Sequence, residues 1–270
     1  MSCNSPIVIN VNGVPTRVAC NYCAGCRMAR ISDWSERIKH ECQEHAWKGN
    51  ESTFLLLTYD DEHLPVRGVN KRDVQLFLKR VRKYLFDHHI TKYNGWKYFL
   101  VSEYGDKEAR PHYHAIMMGL PFDEVEPIYR RCWTDGFIFS RPVADGGIRY
   151  VLKYMQKARP KKQEREIYEK YNIEPPFCMM SKGIGLDWYI RHQNHIINNG
   201  GYYAKSRLVR PNAYFKRKFG MFGKFDKQLF NEMDERARRS NMSVDSYDYS
   251  QRIAREENMR INALNKGDLI

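Results

Sequence analysis

The chain has 270 residues, a length that fits one sizeable domain with extensions or two small domains. Its 45 Lys and Arg residues outnumber its 32 Asp and Glu residues. This formal net charge of +13 excludes an acidic scaffold and favours a polyanionic partner, nucleic acid above all. Hydrophobic residues make up 42% of the chain, which argues against global disorder. No apolar run reaches the roughly 18 residues that span a bilayer, and the first residues are unlike a secretory signal, so we expect no membrane partner.

Hydrophobic periodicity predicts alternating helices and strands between residues 27 and 157. The first helix is followed by a strand that is apolar on both faces, a pattern typical of a strand inside a sheet that is covered on both sides. From that strand onward the predicted order is strand, helix, strand, strand, helix, strand, helix. The predicted elements are 27–47, 52–61, 70–86, 97–104, 112–119, 122–133, 136–141 and 147–157. This order predicts an α+β fold with a mainly antiparallel sheet.

Composition divides the chain into four segments. Residues 1–48 are rich in cysteine, residues 49–160 hold the alternating elements, residues 161–222 are basic and aromatic, and residues 223–270 form a charged tail that we expect to be helical. Between residues 159 and 220 there are 13 Lys and Arg residues against 5 Asp and Glu residues, interleaved with tyrosine and glycine. Cationic grooves with aromatic platforms hold single-stranded nucleic acid, so this stretch is a predicted DNA contact. The candidate DNA-binding residues are Lys182, Lys205, Arg207 and Arg210.

Five of the seven cysteines lie in the first segment. Three of them form the pattern CxxCxxC: Cys20, Cys23 and Cys26. This spacing is closer to a metal site than to a disulfide framework, and it favours a reducing, cytoplasmic compartment. Three thiolates supply three ligands of a tetrahedral structural Zn²⁺, and Cys3 is the preferred fourth ligand. The alternative fourth ligands are His40, Cys42 and His45. The competing interpretation is a group of cysteines that bind no metal.

The stretch with the clearest chemistry contains two predicted strands joined by a turn at residues 105–110. His112 and His114 are two residues apart, so on a strand they project from the same face. If the turn closes symmetrically about residues 107 and 108, Glu103 lies directly opposite His112 and shares that face. Two imidazoles and a carboxylate suit a divalent cation with open positions for a substrate oxygen. The alternative is that both histidines are ordinary strand residues, and a slip of one residue would move the carboxylate to the other face.

A helix with paired tyrosines follows at residues 147–157. Tyr150 and Tyr154 are four residues apart, so they lie on one face of the helix. Lys153 and Lys157 each follow a tyrosine by three residues. Nearby cations favour the phenolate form and stabilise charge on an attacked phosphate, which makes both tyrosines candidate nucleophiles. The alternative is that both tyrosines only pack at the core or rim of an amphipathic helix.

Together these motifs resemble those of the HUH endonucleases that initiate rolling-circle replication. The resemblance is greatest to the replication initiation proteins of single-stranded DNA bacteriophages of the Microviridae, gokushovirus-like members especially. It covers about residues 15–220 and rests on five motifs: VACNYCAGCR, FLLLTYDDEHLP, VSEYGDKEARPHYHAIMMG, YVLKYMQK and MSKGIGLDWY. The fold that it implies is an RRM-like or ferredoxin-like antiparallel sheet flanked by helices.

The resemblance also implies roles for individual residues. His112, His114 and Glu103 would bind Mg²⁺ or Mn²⁺. Tyr150 and Tyr154 would act as nucleophiles, and the two lysines of the same helix, Lys153 and Lys157, would assist them. One tyrosine would attack the scissile phosphate and form a 5′-phosphotyrosine link, leaving a 3′-hydroxyl that primes a polymerase. The second tyrosine would cleave the junction that is regenerated after one circuit.

The implied function is initiation and termination of rolling-circle replication by site-specific nicking and strand transfer. The expected partners are single-stranded DNA, supercoiled replicative-form DNA at the origin, and a host helicase and polymerase in the bacterial cytoplasm. No GxxxxGK[ST] loop is present, so we expect no built-in helicase. Two alternatives remain: a non-catalytic protein that binds single-stranded nucleic acid and has a zinc-stapled fold, and an HUH transposase or relaxase.

Overall fold

The computed structural model describes residues 3–105, 108–155, 162–199, 201–204, 207–221, 232 and 235. The strands are β1 (Ile7–Val11), β2 (Val14–Val18), β3 (Ser52–Tyr59), β4 (Lys97–Tyr104), β5 (Pro111–Met118), β6 (Gly136–Pro142), β7 (Cys178–Met180), β8 (Tyr202–Ala204) and β9 (Arg207–Val209). The helices are α1 (Ala24–Trp47), α2 (Lys71–Asp87), α3 (Phe122–Cys132), α4 (Asp145–Tyr154), α5 (Lys162–Lys170), α6 (Leu186–Asn199) and α7 (Ala213–Met221). No helix among these described residues is both long and apolar enough to cross a membrane.

The chain forms two compact units. The first comprises Gly25–Trp188, and the second comprises Cys3–Ala24 with the chain from Tyr189 onward. The first unit contains a five-stranded sheet in the order β6-β3-β5-β4-β7, in which every neighbouring pair is antiparallel. The run from β3 to β6 is the β-α-β-β-α-β arrangement of ferredoxin-like folds. The predicted α+β fold with an antiparallel sheet flanked by helices is therefore confirmed.

Both faces of this sheet are covered, which explains why β3 is apolar on both sides. Leu55 and Leu57 point into a core that α2 and α3 complete. Phe54 and Leu56 point to the opposite face, where α4 contributes Val151 and other apolar side chains. Helix α4 packs over β4 and β5 on this second face. The apolar stripe of α4 therefore fixes which of its side chains lie over the sheet.

Helix boundaries differ slightly from those that periodicity predicts. Helix α2 begins after Asn70, whose side chain accepts a hydrogen bond from the backbone N–H of Arg72 and caps the helix. Helix α4 begins two residues earlier than predicted, at Asp145, and the described helix ends at Tyr154. The predicted last turn, including Lys157, lies outside the described residues, as does most of the predicted helical tail.

The second unit contains two small antiparallel hairpins. Strands β1 and β2 are joined by Asn12 and Gly13, both with positive φ, the backbone conformation of a two-residue turn that matches strand twist. Strands β8 and β9 form the second hairpin. Buried Tyr189 stacks on Phe215 of α7 and provides an aromatic core for this unit.

Candidate active site and cysteine cluster

The register of β4 and β5 brings the predicted chemistry to one face. Glu103 is directly paired with His112, as the turn length predicts, and Val101 is paired with His114. Successive side chains alternate between faces, so His112, His114 and Glu103 all lie on the face that α4 partly covers. The turn is closed by a hydrogen bond from the backbone N–H of Gly105 to the carbonyl of Arg110.

Glu103 and His114 form a buried pair at the centre of this face. The distance from His114 Nε2 to Glu103 Oε1 is 2.6 Å, and both side chains are buried. The other ring nitrogen of His114, Nδ1, is buried without a hydrogen-bond partner among the described residues. His112 is half-buried, with its ring centroid 6.4 Å from that of His114. The carboxylate therefore holds one imidazole, which still has a ring nitrogen to offer.

Both tyrosines of α4 contact His114. The ring of Tyr154 stacks on it, with centroids 4.6 Å apart and planes within 5° of parallel. The ring of Tyr150 meets it edge-on at 5.3 Å. The hydroxyl of Tyr154 donates a hydrogen bond of 2.8 Å to the hydroxyl of Tyr150. Tyr150 is 43% exposed, so a polymer in solvent can reach its hydroxyl. The spacing of four residues thus places two phenols beside the histidine strand.

The predicted basic residues are placed less completely. Lys153 is exposed, and its Nζ lies 5.9 Å from the ring centroid of Tyr154. Lys182 is exposed in the loop between β7 and α6, and Arg210 is exposed after β9. The candidates that lie outside the described residues or side chains are Lys157, Lys205 and Arg207. Catalytic and DNA-binding roles for this set stay predictions.

A second cluster of candidate metal ligands is formed by cysteines. The Sγ atoms of Cys3, Cys20, Cys23 and Cys26 all lie within 4.8 Å of one another. Cys3 Sγ is 3.7 Å from Cys20 Sγ and 3.8 Å from Cys23 Sγ. A tetrahedral zinc ion with Zn–S bonds of about 2.3 Å separates its sulfur atoms by about 3.8 Å, whereas a disulfide holds them at about 2.05 Å. The cluster has the dimensions of a zinc site and can hold such an ion.

Backbone N–H groups support the cysteine cluster. Asn4 N–H donates to Cys23 Sγ, Cys20 N–H donates to Cys3 Sγ, and Cys23 N–H donates to Cys20 Sγ, at distances of 3.3–3.4 Å. Hydrogen bonds from the N–H groups of Tyr22 and Cys23 lower the pKa of the Cys20 thiol. Such donors stabilise thiolates, the form in which cysteine binds a metal.

The structure also distinguishes among the candidate fourth ligands, because it places Cys3 in the cluster. The two histidine alternatives have other neighbours: the ring of His40 stacks on Trp188 at 3.7 Å, and His45 Nε2 lies 3.2 Å from Glu41 Oε1. Cys42 is not part of the cluster. Of the four ligands that the sequence leaves open, Cys3 is therefore the one that fits.

The two candidate metal sites differ in how tightly their ligand atoms are gathered. In the described part of the chain, the cysteines are the one group of three or more His, Cys, Asp or Glu residues with donor atoms this close together. The strand residues are not gathered to that degree, and Glu103 instead pairs with His114. Their chemistry nonetheless fits a divalent cation, because two imidazoles and a carboxylate share one face and His114 Nδ1 is unpaired.

Two features of the first unit have no counterpart in the sequence-based predictions. The edge strand β6 exposes Phe137 and Phe139 on the same face as His112 and His114. The available signal is the alternation of aromatic residues along residues 137–141, but periodicity alone does not tell which face of a strand stays open. The second feature is a buried ion pair between α1 and β4, whose partners are far apart in sequence.

Comparison with known proteins places this geometry in a family. A family model described as replication-associated protein ORF2 matches residues 52–159, the range that holds both histidines and both tyrosines. The chain is similar to replication-associated protein ORF2 of Spiroplasma virus 4, at 29% identity over 81% of the chain and 69% of the relative. It is also similar to replication-associated protein ORF4 of Chlamydia phage 1, at 27% identity over 84% of the chain and 60% of the relative.

A third relative is replication-associated protein VP4 of Bdellovibrio phage phiMH2K, which is 29% identical over 67% of the chain and 60% of its own length. The chain thus spans 60–69% of the length of these relatives. No solved structure matches the chain. The family model and the three relatives agree on one description, and the chain belongs to this family of phage replication-associated proteins.

Proposed function

We propose that the chain nicks one DNA strand at a replication origin and transfers that strand through a 5′-phosphotyrosine intermediate. The observation that carries this proposal is the contact of both α4 tyrosines with the buried His114–Glu103 pair. The family supports a role in replication, and the arrangement supplies two nucleophiles beside a site suited to a cation.

The arrangement favours Tyr150 as the first nucleophile. Tyr154 donates a hydrogen bond to the Tyr150 oxygen, and a donor at that position stabilises a developing phenolate. Tyr150 is also exposed to solvent. In the proposed step its oxygen forms a bond to phosphorus, the bond from phosphorus to the 3′ oxygen breaks, and the phenol proton ends on that leaving oxygen. The products are a 5′-phosphotyrosine and a free 3′-hydroxyl.

The remaining residues of the site hold and orient. His112, His114 and Glu103 would hold Mg²⁺ or Mn²⁺, which when bound draws charge from the phosphate oxygens. Glu103 fixes the ring of His114, and the stacked ring of Tyr154 covers it. Lys153 supplies positive charge beside Tyr154, where a second cleavage would need it. Two phenols on one helix would let a single chain cut twice without releasing the DNA.

The proposed substrates follow from this chemistry. They are single-stranded DNA and supercoiled replicative-form DNA, because the tyrosines attack one strand at a time. The released 3′-hydroxyl would be extended by a host polymerase behind a host helicase in the bacterial cytoplasm. Lys182, Lys205, Arg207 and Arg210 remain the proposed DNA contacts outside the tyrosine site.

Replacing His112 with alanine is expected to abolish metal-dependent nicking. The measurement uses the full chain, Mn²⁺ and a pool of oligonucleotides that tile the DNA molecule encoding it. His88→Ala is the matched control, because His88 is exposed at the end of α2. Nicking by the native chain in EDTA, or equal nicking by the His112→Ala chain, would contradict the proposed role of the cation. Tight binding without any nicking would instead favour the non-catalytic alternative.

We further propose that the cysteine cluster binds one structural zinc ion. Elemental analysis of the purified chain is expected to find one zinc per chain, and Cys23→Ser is expected to lose it, because a structural site needs all four ligands. Cys42→Ser is the control, since Cys42 lies outside the cluster. A zinc-free chain with an unchanged thermal midpoint would refute this assignment.

A further inference from the structure

An open shelf lies beside the histidines, where the edge strand β6 extends past helix α4. Two rows of directly paired residues cross the sheet from β6 through β3 to β5: Phe137–Thr58–His112 and Phe139–Leu56–His114. Directly paired residues point to the same face, so both phenylalanines share the face of the histidines. Neighbouring strands are about 4.8 Å apart, which puts β6 roughly 10 Å from β5.

The shelf exposes aromatic rings that the fold does not bury. Phe137 is 68% exposed and Phe139 is 53% exposed, although they are adjacent on one face. Helix α4, which covers the same face, packs on β4 and β5. Leu56 and Thr58 on β3 are half-buried, so they form the floor between the phenylalanines and the histidines. An apolar surface left open next to a reactive site marks a binding surface.

Positive charge borders the shelf on the side of the tyrosines. Arg141 is the next residue of β6 on this face, and its guanidinium lies 4.9 Å from the ring centroid of Phe54. The ring of Phe54 in turn meets the ring of Tyr150 at 6.2 Å. Arg149 and Lys153 on α4 are also exposed. Aromatic rings and cations therefore run without interruption from the edge strand to the first proposed nucleophile.

We propose that the shelf formed by Phe137, Phe139 and Arg141 binds the nucleotides next to the scissile phosphate. The two rings would stack on bases of a single DNA strand, and the guanidinium would pair with a backbone phosphate. This inference rests on the proposed nicking function, because that function places a DNA strand at Tyr150. Single-stranded DNA fits better than a second copy of the chain, since the border is cationic and the chain carries a net charge of +13.

Binding of fluorescent single-stranded dT20 in EDTA, followed by anisotropy, tests the shelf without any cleavage. The double variant Phe137→Ala/Phe139→Ala is expected to bind about 10- to 100-fold more weakly, because each base–aromatic stack contributes about tenfold. Phe137→Trp/Phe139→Trp should keep the affinity. Phe86→Ala is the matched control, because Phe86 is 80% exposed on α2, which packs on the other face of the sheet.

An oligonucleotide without bases separates stacking from charge. The native chain should lose affinity for an abasic 20-mer relative to dT20, whereas the Phe137→Ala/Phe139→Ala chain should lose much less. Arg141→Gln should instead lower the slope of log affinity against log salt concentration by about one phosphate contact. Equal affinities of the native chain and the double alanine variant for dT20 would overturn the proposal.

Nicking assays run in parallel keep this inference distinct from the proposed function. If the native chain nicks DNA while both phenylalanines prove irrelevant to binding, the shelf assignment is wrong and the nickase stands. If binding depends on the phenylalanines but no nicking occurs, the nickase is wrong and the shelf stands. Sedimentation provides one more outcome: a native dimer that the double alanine variant converts to a monomer would assign the shelf to a contact between copies and overturn the proposal.

Discussion

A chain in which both Tyr150 and Tyr154 are replaced by phenylalanine will form no covalent adduct with DNA, whereas the native chain will form one. The change removes both phenol oxygens and keeps both rings stacked around His114, so the fold should be retained. The lost hydroxyl–hydroxyl bond should change the free energy of unfolding by only about 1 kcal/mol. Denaturing gels of reactions with 5′- and 3′-labelled oligonucleotides measure the adduct.

The single variants and a control sharpen this prediction. Tyr150→Phe should lose most of the first cleavage, because Tyr150 is the exposed acceptor of the Tyr154 hydrogen bond. Tyr154→Phe should still cleave but should fail at the second cleavage. Tyr171→Phe, an exposed tyrosine outside the site, should behave as the native chain does. Adducts formed by the double variant at the native rate would show that the nucleophile lies elsewhere.

Replacing Glu41 with alanine is expected to lower the free energy of unfolding by about 3 to 5 kcal/mol, the cost of breaking a buried ion pair from one side. Glu41 is buried on α1 and accepts hydrogen bonds from Lys97 Nζ at 2.9 Å and from the backbone N–H of Gly185 at 2.7 Å. Its loss would leave the mostly buried Lys97 charge with only the exposed carboxylate of Asp187, 3.1 Å away. Urea unfolding followed by circular dichroism measures the change.

Asp187→Ala is the matched control for this pair. Asp187 contacts the same ammonium group, but its side chain is 56% exposed, so its removal should cost only about 0 to 1 kcal/mol. A similar loss for both variants would mean that burial does not set the strength of these contacts. The Glu41 contacts also hold the loop before α6, since Gly185 and Lys97 both bond to the carboxylate.

The same carboxylate should make stability depend on pH in acid. Burial by itself raises the pKa of Glu41, but hydrogen bonds from His45, Gly185 and Lys97 outweigh burial and lower that pKa below its ordinary value of 4.5. A carboxyl group whose pKa is lowered by folding stabilises the fold fully above its unfolded pKa, and this contribution is lost as the pH falls through its folded pKa. The native chain should therefore lose stability below about pH 4.5 more steeply than Glu41→Gln, in urea titrations from pH 7 to pH 3.

The local part of the site could be predicted because short-range geometry determines it. The turn at residues 105–110 fixes the register of β4 on β5, so its length places Glu103 opposite His112. The helical repeat likewise puts Tyr150 and Tyr154 on one face. The alternation along β3 predicts a strand covered on both sides, and both cores are present.

Contacts between distant parts of the chain could not be predicted in the same way. Glu41 is 56 residues from Lys97 and 144 residues from Gly185, and no local pattern joins them. The exposure of Phe137 depends on which strands α4 covers, and that depends on the packing of the whole face. The choice of Cys3 as fourth thiol depends on how residues 4–19 return the chain to Cys20.

One missed element did have a local signal. Asn12 and Gly13 lie between two runs of alternating apolar residues, a strong indication of a two-residue hairpin turn. The sequence-based elements begin at residue 27, so this hairpin was not among them. Its strands are mostly exposed, which explains why a search for core-forming periodicity does not find them.

Identification of the residue that becomes linked to DNA tests the central claim most directly. The full chain is incubated with Mn²⁺ and the cleaved oligonucleotide, treated with nuclease and trypsin, and examined by mass spectrometry. Trypsin cuts after Arg149 and Lys153, so Tyr150 and Tyr154 fall in separate peptides. The account predicts a nucleotide on the peptide of Tyr150, with a smaller amount on that of Tyr154. A linkage to any other residue, or cleavage with no linked peptide, would contradict it.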